Sequence, residues 1–390
     1  MKKGWEVKKL IEVCEKITDG THQTPTYFDD GVLFLSSRNV TSGTIDWENV
    51  KYIDAKQHGE MQRRVSPRLN DILLAKNGTT GVAAMVDRDV PFDIYVSLAL
   101  LRPLATVHPT FLLHFINSPL AKKQFTKRLK GVGVPNLHLE EIREVEIPIP
   151  PLPEQQRIVG ILDKAFAGLA IAVANAEKNL QNARALFESH LQSVFTQRGE
   201  GWKMEKLDDL TELARGHNPP KSKFSHEQKP GYVRFYQIRD GGTDDYTVYV
   251  PDSPQLHKMK KDDIMLVAYR HVGRAFRGVE GAFNVALCKI SNARRDLLDD
   301  DYLFHIVPSP FVKGELLKRS ERSLIPSMSI EHLRELRIPL PPLPEQQKIV
   351  KLINSLSTET QRLAAIYERK LAALLELKKS LLHQAFNGEL

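Results

Sequence analysis

The chain has only two cysteines among its 390 residues, Cys14 and Cys288, one in each half. That usage fits neither a disulfide framework nor a zinc cluster. The thirteen histidines show no metal-ligand spacing such as H-E-x-x-H. Gly78-Thr79-Thr80-Gly81 and Gly131-Val132-Gly133 are not phosphate-binding loops, because neither completes the signature ending in Lys-Ser/Thr. The opening Met1-Lys2-Lys3-Gly4-Trp5-Glu6 leads into no apolar core of the signal-peptide kind. No apolar run approaches the ~18 residues of a membrane span. No Ser-His-Asp set assembles convincingly from the sequence. Asn218-Pro219-Pro220 resembles a methyltransferase motif in which an aromatic residue follows and stacks on a flipped base. Here Lys221 stands in that position, and no methyl-donor fingerprint lies upstream. These absences favour a soluble, cytoplasmic binding protein over an enzyme, with no membrane partner and with no cofactor or metal of its own. The net charge of +7 and pI of about 9.1 suit a polyanionic partner.

What the chain does have is a repeat. Ile147–Val159, IPIPPLPEQQRIV, returns as Ile338–Val350, IPLPPLPEQQKIV, at an offset of 191 residues. The register extends upstream, with Ser118-Pro119 on Ser309-Pro310, Lys127-Arg128 on Lys318-Arg319, Pro135 on Pro326 and Arg143-Glu144 on Arg334-Glu335. It extends downstream, with Leu191 and Phe195 on Leu382 and Phe386, and Gly4-Trp5 finds Gly201-Trp202 slightly out of register. Such a period is far too long for a solenoid or propeller unit. It is the length of a whole domain, so the chain is two copies of one unit related by a pseudo-two-fold.

The fold class expected is α/β (α+β): two globular domains, residues 1–150 and 199–341, each followed by a long helix, residues 151–198 and 342–390. Short apolar runs bounded by turn residues predict strands at Val32–Leu35, Ile72–Ala75, Val96–Leu101, Tyr232–Ile238, Ile264–Tyr269 and Val285–Ile290. Phe111–Leu129 reads as helical with a break near Ser118-Pro119. Proline suits a first helical turn and glutamate there favours the helix dipole, so Pro153 and Pro344 each predict a helix start. Val159, Phe166, Val173, Leu180, Phe187 and Val194, alternating with Leu162, Leu169, Ala176, Ala183 and His190, form a heptad seam. In the second copy Ile349, Leu356, Leu363 and Leu377 share one heptad position, and Ile353, Tyr367, Leu374 and Leu381 the other. Thr360 and Lys370 weaken that seam. The expected arrangement is a long antiparallel two-helix coiled coil acting as a rigid spacer.

Two divergent globular parts, each followed by a near-identical IP-x-PPLPEQQ-(R/K)-IV segment, resemble the specificity subunit of type I DNA restriction–modification systems over essentially the whole chain. Gly4-Trp5, Gly201-Trp202 and the terminal Phe386-Asn387-Gly388-Glu389-Leu390 add to the likeness. The resemblance implies a non-catalytic subunit whose two target recognition domains each read one half of a split, asymmetric DNA sequence. It implies helices that set the gap and dock two methyltransferase (modification) subunits, with restriction subunits joining them. N6-adenine methylation and ATP-dependent cleavage would belong to those partners, together with S-adenosylmethionine, ATP and magnesium. The partner of this chain would be double-stranded DNA. The competing readings are a combined restriction–methyltransferase enzyme and a coiled-coil adaptor without DNA specificity.

DNA contacts call for cationic, amide and hydroxyl side chains on presented loops. In the first domain the candidates are Arg38 and Asn39, and Lys76 and Asn77 with Thr79 and Thr80. In the second they are Gln237 and Arg239, and the loop Tyr269, Arg270, His271 with Arg274 and Arg277. Each loop follows a predicted strand. Thr21-His22-Gln23-Thr24-Pro25 and Gly216-His217-Asn218-Pro219 occupy matching places and form a second candidate pair.

Overall fold

The computed structural model describes residues 4–40, 43–129, 136–197, 199–240, 244–269, 272–319 and 328–390. The chain forms two compact units, Met1–Ala176 with Arg369–Leu390, and Glu177–Glu368. In the first, an antiparallel sheet runs in the spatial order Cys14–Asp19, Leu98–Pro103, Ile72–Ala75, Ala83–Met85. A second sheet orders Lys51–Ile53, Val32–Leu35 and Phe92–Ile94, the last two parallel. A ribbon pairs Glu6–Lys9 with Glu146–Ile149.

The second unit repeats the plan. Its first sheet is Thr211–Arg215, Leu287–Asn292, Ile264–Val267, Ala275–Phe276. Its second contains the parallel pair Tyr232–Tyr236 and Gly281–Phe283. Its ribbon is Lys203–Lys206 with Arg337–Leu340. The α+β class holds.

Burial explains why Ile72–Ala75 is apolar at every residue. Strand side chains alternate between faces. Ile72 and Leu74 enter one core with Leu101, Phe111 and Phe115, and Leu73 and Ala75 enter another with Trp47, Phe92 and Leu100. The central strand is covered on both sides. Ile264 and Leu266, against Met265 and Val267, divide in the same way between two cores of the second unit. Cys14 and Cys288 are buried, and burial pushes their thiols up to about 12 and about 11.

Val32–Leu35 and Ile72–Ala75 form where the apolar runs place them. Tyr232–Ile238 and Ile264–Tyr269 close earlier, as Tyr232–Tyr236 and Ile264–Val267. The strands expected from Val96 and Val285 begin two residues later, at Leu98 and Leu287. The residues before them are bent into turns closed by the amides of Leu98 and Leu287 donating to Tyr95 and Asn284 carbonyls. The Phe111–Leu129 segment breaks into Pro109–Ile116 and Pro119–Arg128. The Ser118 hydroxyl accepts the Ala121 amide and caps the second helix, where a proline ring could not continue the first. Ser309 accepts the Val312 amide in the same way. Pro148 and Pro339 do lie in strands, but in two-stranded ribbons, where a missing amide is tolerated.

The long helices are Leu152–Thr196 and Leu343–Asn387, 45 residues each, with Pro153 and Pro344 in their first turns. Each first turn is tied to its own globular domain by a buried glutamine. Gln155 Oε1 accepts the His108 amide at 2.8 Å, and its Nε2 donates to the Pro150 and Thr106 carbonyls at 2.9 and 3.2 Å. Gln346 Oε1 accepts the Asp299 amide at 2.8 Å, and its Nε2 donates to the Pro341 and Leu297 carbonyls at 2.7 and 2.8 Å. Each domain also receives the end of the other helix. Phe386 packs edge-on against Phe111 and Phe115, and Phe195 packs edge-on against Tyr302. Within the first unit the helical segments run antiparallel, with Arg157 donating to the Leu390 carbonyl at 2.6 Å and Lys378 lying over Phe166. Within the second, Arg184 pairs with Glu368 at 3.1 Å while Phe195 shares a core with Ile353.

The first seam is present: every residue from Val159 to Val194 at the expected positions is buried or half-buried. The second keeps the 4-3 spacing but not both expected positions. Ile353, Thr360, Tyr367, Leu374 and Leu381 are covered, whereas Leu363 and Leu377 are exposed and the other covered position falls one residue later, at Ala364 and Leu371. After Leu356 the alternate position therefore moves by one residue while the seven-residue repeat continues. The first long helix is also the one described helix whose length and composition would allow a membrane crossing, with an 18-residue window of mean hydropathy 1.6. That window, rich in small and apolar residues without being an unbroken run, was missed by looking for runs. Toward the start of the helix Val159 and Leu162 are core residues of the first unit, and near the end of the helix Phe195 is a core residue of the second.

Candidate nucleic-acid interface

Matching backbone hydrogen bonds align the two domains residue by residue. Thr21 N donates to Ile94 O as His217 N does to Phe283 O, and Tyr95 N to Leu35 O as Asn284 N to Tyr236 O. Ala75 N donates to Val82 O as Val267 N does to Arg274 O, and Gly81 N to Ala75 O as Gly273 N to Val267 O. The two second-choice loops therefore do occupy matching places. Lys76-Asn77 corresponds to Ala268-Tyr269. Gly20 and Gly216 are also equivalent, and both are sterically required. A Cβ would stand 1.8 Å from the Ile94 carbonyl oxygen in one and 2.1 Å from the Asn284 carbonyl oxygen in the other.

The turn after the parallel strand is a short 3-10 helix in both domains, Ser37–Val40 and Ile238–Asp240. In the first, Asn39 Oδ1 accepts the Ser36 amide at 2.9 Å. In the second, Asp240 Oδ2 accepts the Gln237 amide at 2.6 Å. The alignment puts Arg38 on Arg239, and both are exposed. Arg239 lies over the Tyr246 ring at 5.2 Å.

Asn39 itself is no surface reader. It is buried, and its Nδ2 donates to the Asp46 and Asn49 carbonyls. Its amide is saturated by its own loop. Gln237 is half-buried, with its Nε2 unpartnered among the described residues.

Two adjoining clefts open on this end of the first domain. One, of about 680 Å³, is lined by Asp19, His22, Arg64, Lys76, Asn77, Asn136 and Arg143 among others. The other, of about 480 Å³, is lined by Tyr27, Ser36, Arg38, Lys51, Asn77 and Tyr95 among others. Asn77 belongs to both, so the fold brings the two candidate segments of this domain to one surface. Thr79 is exposed and Thr80 half-buried on the loop beyond Asn77. Lys76 is buried, and this corrects its reading as an exposed contact. Its Nζ donates to Asp19 Oδ2 at 2.6 Å, while Arg64 donates to Asp19 Oδ1 at 2.5 Å and His22 Nε2 lies 3.3 Å from the same oxygen. Burial opposes ionisation of Asp19, but the hydrogen bonds from Lys76 and Arg64 and the Lys76 charge outweigh it and hold the carboxyl below its ordinary value. Asp19 and Arg64 escaped the sequence reading because no local signal links residues 45 positions apart.

In the second domain Arg270 and His271 lie outside the described residues. Tyr269 is half-buried and Arg274 exposed, beside that loop. Arg277 is exposed, pairs with Asp301 and lies over the Phe304 ring at 4.4 Å. Burial, only partly offset by the Gln237 amide, holds the Asp240 carboxyl above its ordinary value. Gly131-Val132-Gly133, Pro135 and Pro326 also fall outside the described residues.

The sequence matches the type I restriction modification DNA specificity domain over residues 2–180 and again over 199–368. It is 23% identical over 421 residues to the EcoKI specificity subunit of Escherichia coli K12, covering 99% of this chain and 89% of that protein. It is 20% identical over 416 residues to the MjaIX specificity subunit of Methanocaldococcus jannaschii, covering 100% and 94%. Its fold is similar to that of a chain solved in work on complex assembly and conformational transition of the type I R-M system. The TM-score there is 0.82, at 21% identity, over 100% of this chain and 99% of that one. It is also similar in fold to the HsdS subunit of Thermoanaerobacter tengcongensis, with TM-score 0.60 at 21% identity over 100% and 98%.

Proposed function

The chain belongs to the type I restriction–modification DNA specificity family, and on that premise we propose that each globular domain reads one half of a split, asymmetric double-stranded DNA target while the helices set the gap. Two specificity regions in one chain set aside the reading of an adaptor without DNA specificity. One observation supports paired reading most strongly. Both domains present an exposed arginine, Arg38 or Arg239, from the same short turn beside the same strand end. Arginine serves both phosphate and base-edge contacts. Around it the side chains differ between domains, as two unlike half-sites require.

The helices carry the partner surface in this proposal. Gln156 and Gln347 are equivalent, identical and exposed, and Ile161 and Leu352 are equivalent, apolar and exposed. The same patch occurring twice suits two copies of one partner, here two methyltransferase subunits, with restriction subunits joining them in the cytoplasm. N6-adenine methylation, ATP-dependent cleavage, S-adenosylmethionine, ATP and magnesium then belong to the partners, and this chain is non-catalytic.

Co-expression with methyltransferase partners in a host lacking N6-adenine methylation tests the reading. Genome sequencing should show N6-methyladenine at one bipartite motif with a fixed gap, and only when this chain is present. Identical methylation without the chain, or a motif lacking a gap, would refute it.

A further inference from the structure

The most strongly repeated segment of the chain, PPLPEQQ, presents only part of itself to solvent. Gln155 and Gln346 are buried, at 1% and 0% exposure. Each uses its acceptor and both donor hydrogens on backbone groups, and the pattern is the same in both copies. The acceptor takes the amide of a residue just before a globular-domain helix, His108 or Asp299. One donor reaches a carbonyl of the same loop, Thr106 or Leu297, and the other a carbonyl of the proline run, Pro150 or Pro341. One amide plane thus joins three segments: the globular loop, the incoming strand end and the first turn of the long helix.

A hydrophobic residue of the same size would fill the space but take the partner from one buried and two partly buried backbone groups. Glutamine is therefore selected here for direction rather than for bulk. From this we infer that Gln155 and Gln346 are positioning residues that fix the angle of each globular domain on its helix, and so help determine which gap length the protein accepts. The inference rests on the proposed reading of split sites and adds to it. A helix is a useful ruler only if the reader is rigidly attached to it. A 100-residue domain has a radius of gyration of about 13 Å. A tilt of roughly 8° about the joint moves a point two such radii away by about 3.6 Å, close to the ~3.4 Å rise of one base pair. Small slack at the joint therefore reads as an error of one base pair.

The joint can be examined without DNA. Glu60 and Lys164 are exposed, one on the globular part and one on the long helix of the same unit. Cysteines introduced there accept spin labels, while Cys14 and Cys288 are buried. Pulsed electron-spin distance measurements should give one narrow distribution in this background and a broadened or multiple one when Gln155→Met is added. Gln155→Glu, which keeps the acceptor and loses both donors, is run in parallel. In the complex, either folded variant should lower discrimination against sites with a gap one base pair too long or too short by about tenfold. The bases read in each half-site should stay unchanged. A folded variant with an unbroadened distance distribution or unchanged gap discrimination overturns the inference. So does failure of both variants to fold, since the glutamine would then serve folding alone. If the unmodified chain shows no bipartite target, the proposed function fails, while the distance measurement still decides whether the joint is held by this glutamine.

Discussion

At the floor of the candidate interface the first domain places Asp19 and Lys76 where the second places Arg215 and Ala268. The backbone around them is shared, down to the same inter-strand hydrogen bonds. The charge logic is not. In the first domain a buried carboxylate holds a buried lysine and Arg64. In the second, the Arg215 guanidinium donates to the Val285 carbonyl, and His257 Nδ1 lies 2.6 Å from the Arg215 carbonyl, much as Arg64 Nε donates to that of Asp19. Meanwhile Gly20 and Gly216, Arg38 and Arg239, Ser118 and Ser309, and Gln155 and Gln346 are the same residue in both. What stays constant is the backbone closure, the exposed arginine and the attachment to the helix. What varies is the side-chain chemistry between them, which is where two different half-sites would be distinguished.

Removing the first domain's buried lysine should be the most damaging test of this contrast. Lys76→Ala strands one oxygen of a buried carboxylate, and breaking such a pair costs about 3 kcal/mol. The equivalent residue of the second domain is already alanine. Urea unfolding should show the first unit weakened and the second unchanged, and Asp19→Ala added to Lys76→Ala should restore much of the loss. Equal weakening of both units would break the comparison. The Asp19 carboxyl also lies below its ordinary value when folded. Its contribution is complete above the unfolded carboxylate value and lost as pH falls through the folded one, so Asp19→Asn should flatten the acid side of the first unit's stability profile.

The shared arginines come next. Arg38→Ala and Arg239→Ala should each weaken DNA binding by about 1–3 kcal/mol and relax one half-site if the contact is to a base edge. If it is to phosphate, affinity should fall evenly across sequences and the salt slope should shrink by about one. Competition binding on DNA altered in one half-site at a time separates these outcomes. No change in either variant would remove the turn from the interface.

The smallest effect sharpens the turn itself. Asn39 is fully bonded, while the equivalent Asp240 has one buried oxygen without a partner among the described residues. Asp240→Asn should stabilise the second unit by about 1 kcal/mol at neutral pH. The folded Asp240 carboxyl is raised by burial, so the wild type loses stability as pH rises from the unfolded carboxylate value through the folded one. The advantage of the asparagine should grow over that window. Thermal unfolding at several pH values measures it, and an advantage independent of pH would assign it to packing.

Much of this architecture was legible from sequence because it depends on local periodicity and on repetition. Apolar runs marked the central strands, and the proline-glutamate segments marked both helix starts. The site was less legible. Asn39 and Lys76 have the right chemistry on the right loops, but residue type does not tell whether a side chain turns outward or is held by Asp46, Asn49 or Asp19. Arg64 joins the cleft only because the fold brings the turn after Ala55–Gln62 to Asp19. Leu363 and Leu377 misled for another reason: their apolar side chains lie one residue off the covered position, which Ala364 and Leu371 occupy instead. The buried glutamines were visible as repeated letters, yet their three bonds need the fold to be seen.

The central claim is that two domains on one frame read separate half-sites. A chimera joining residues 1–200 to the second half of a related subunit, co-expressed with methyltransferase partners, tests it by N6-methyladenine sequencing. The methylated motif should keep the half-site assigned to the first domain and exchange the other for the relative's. A motif in which both half-sites change together would contradict the account.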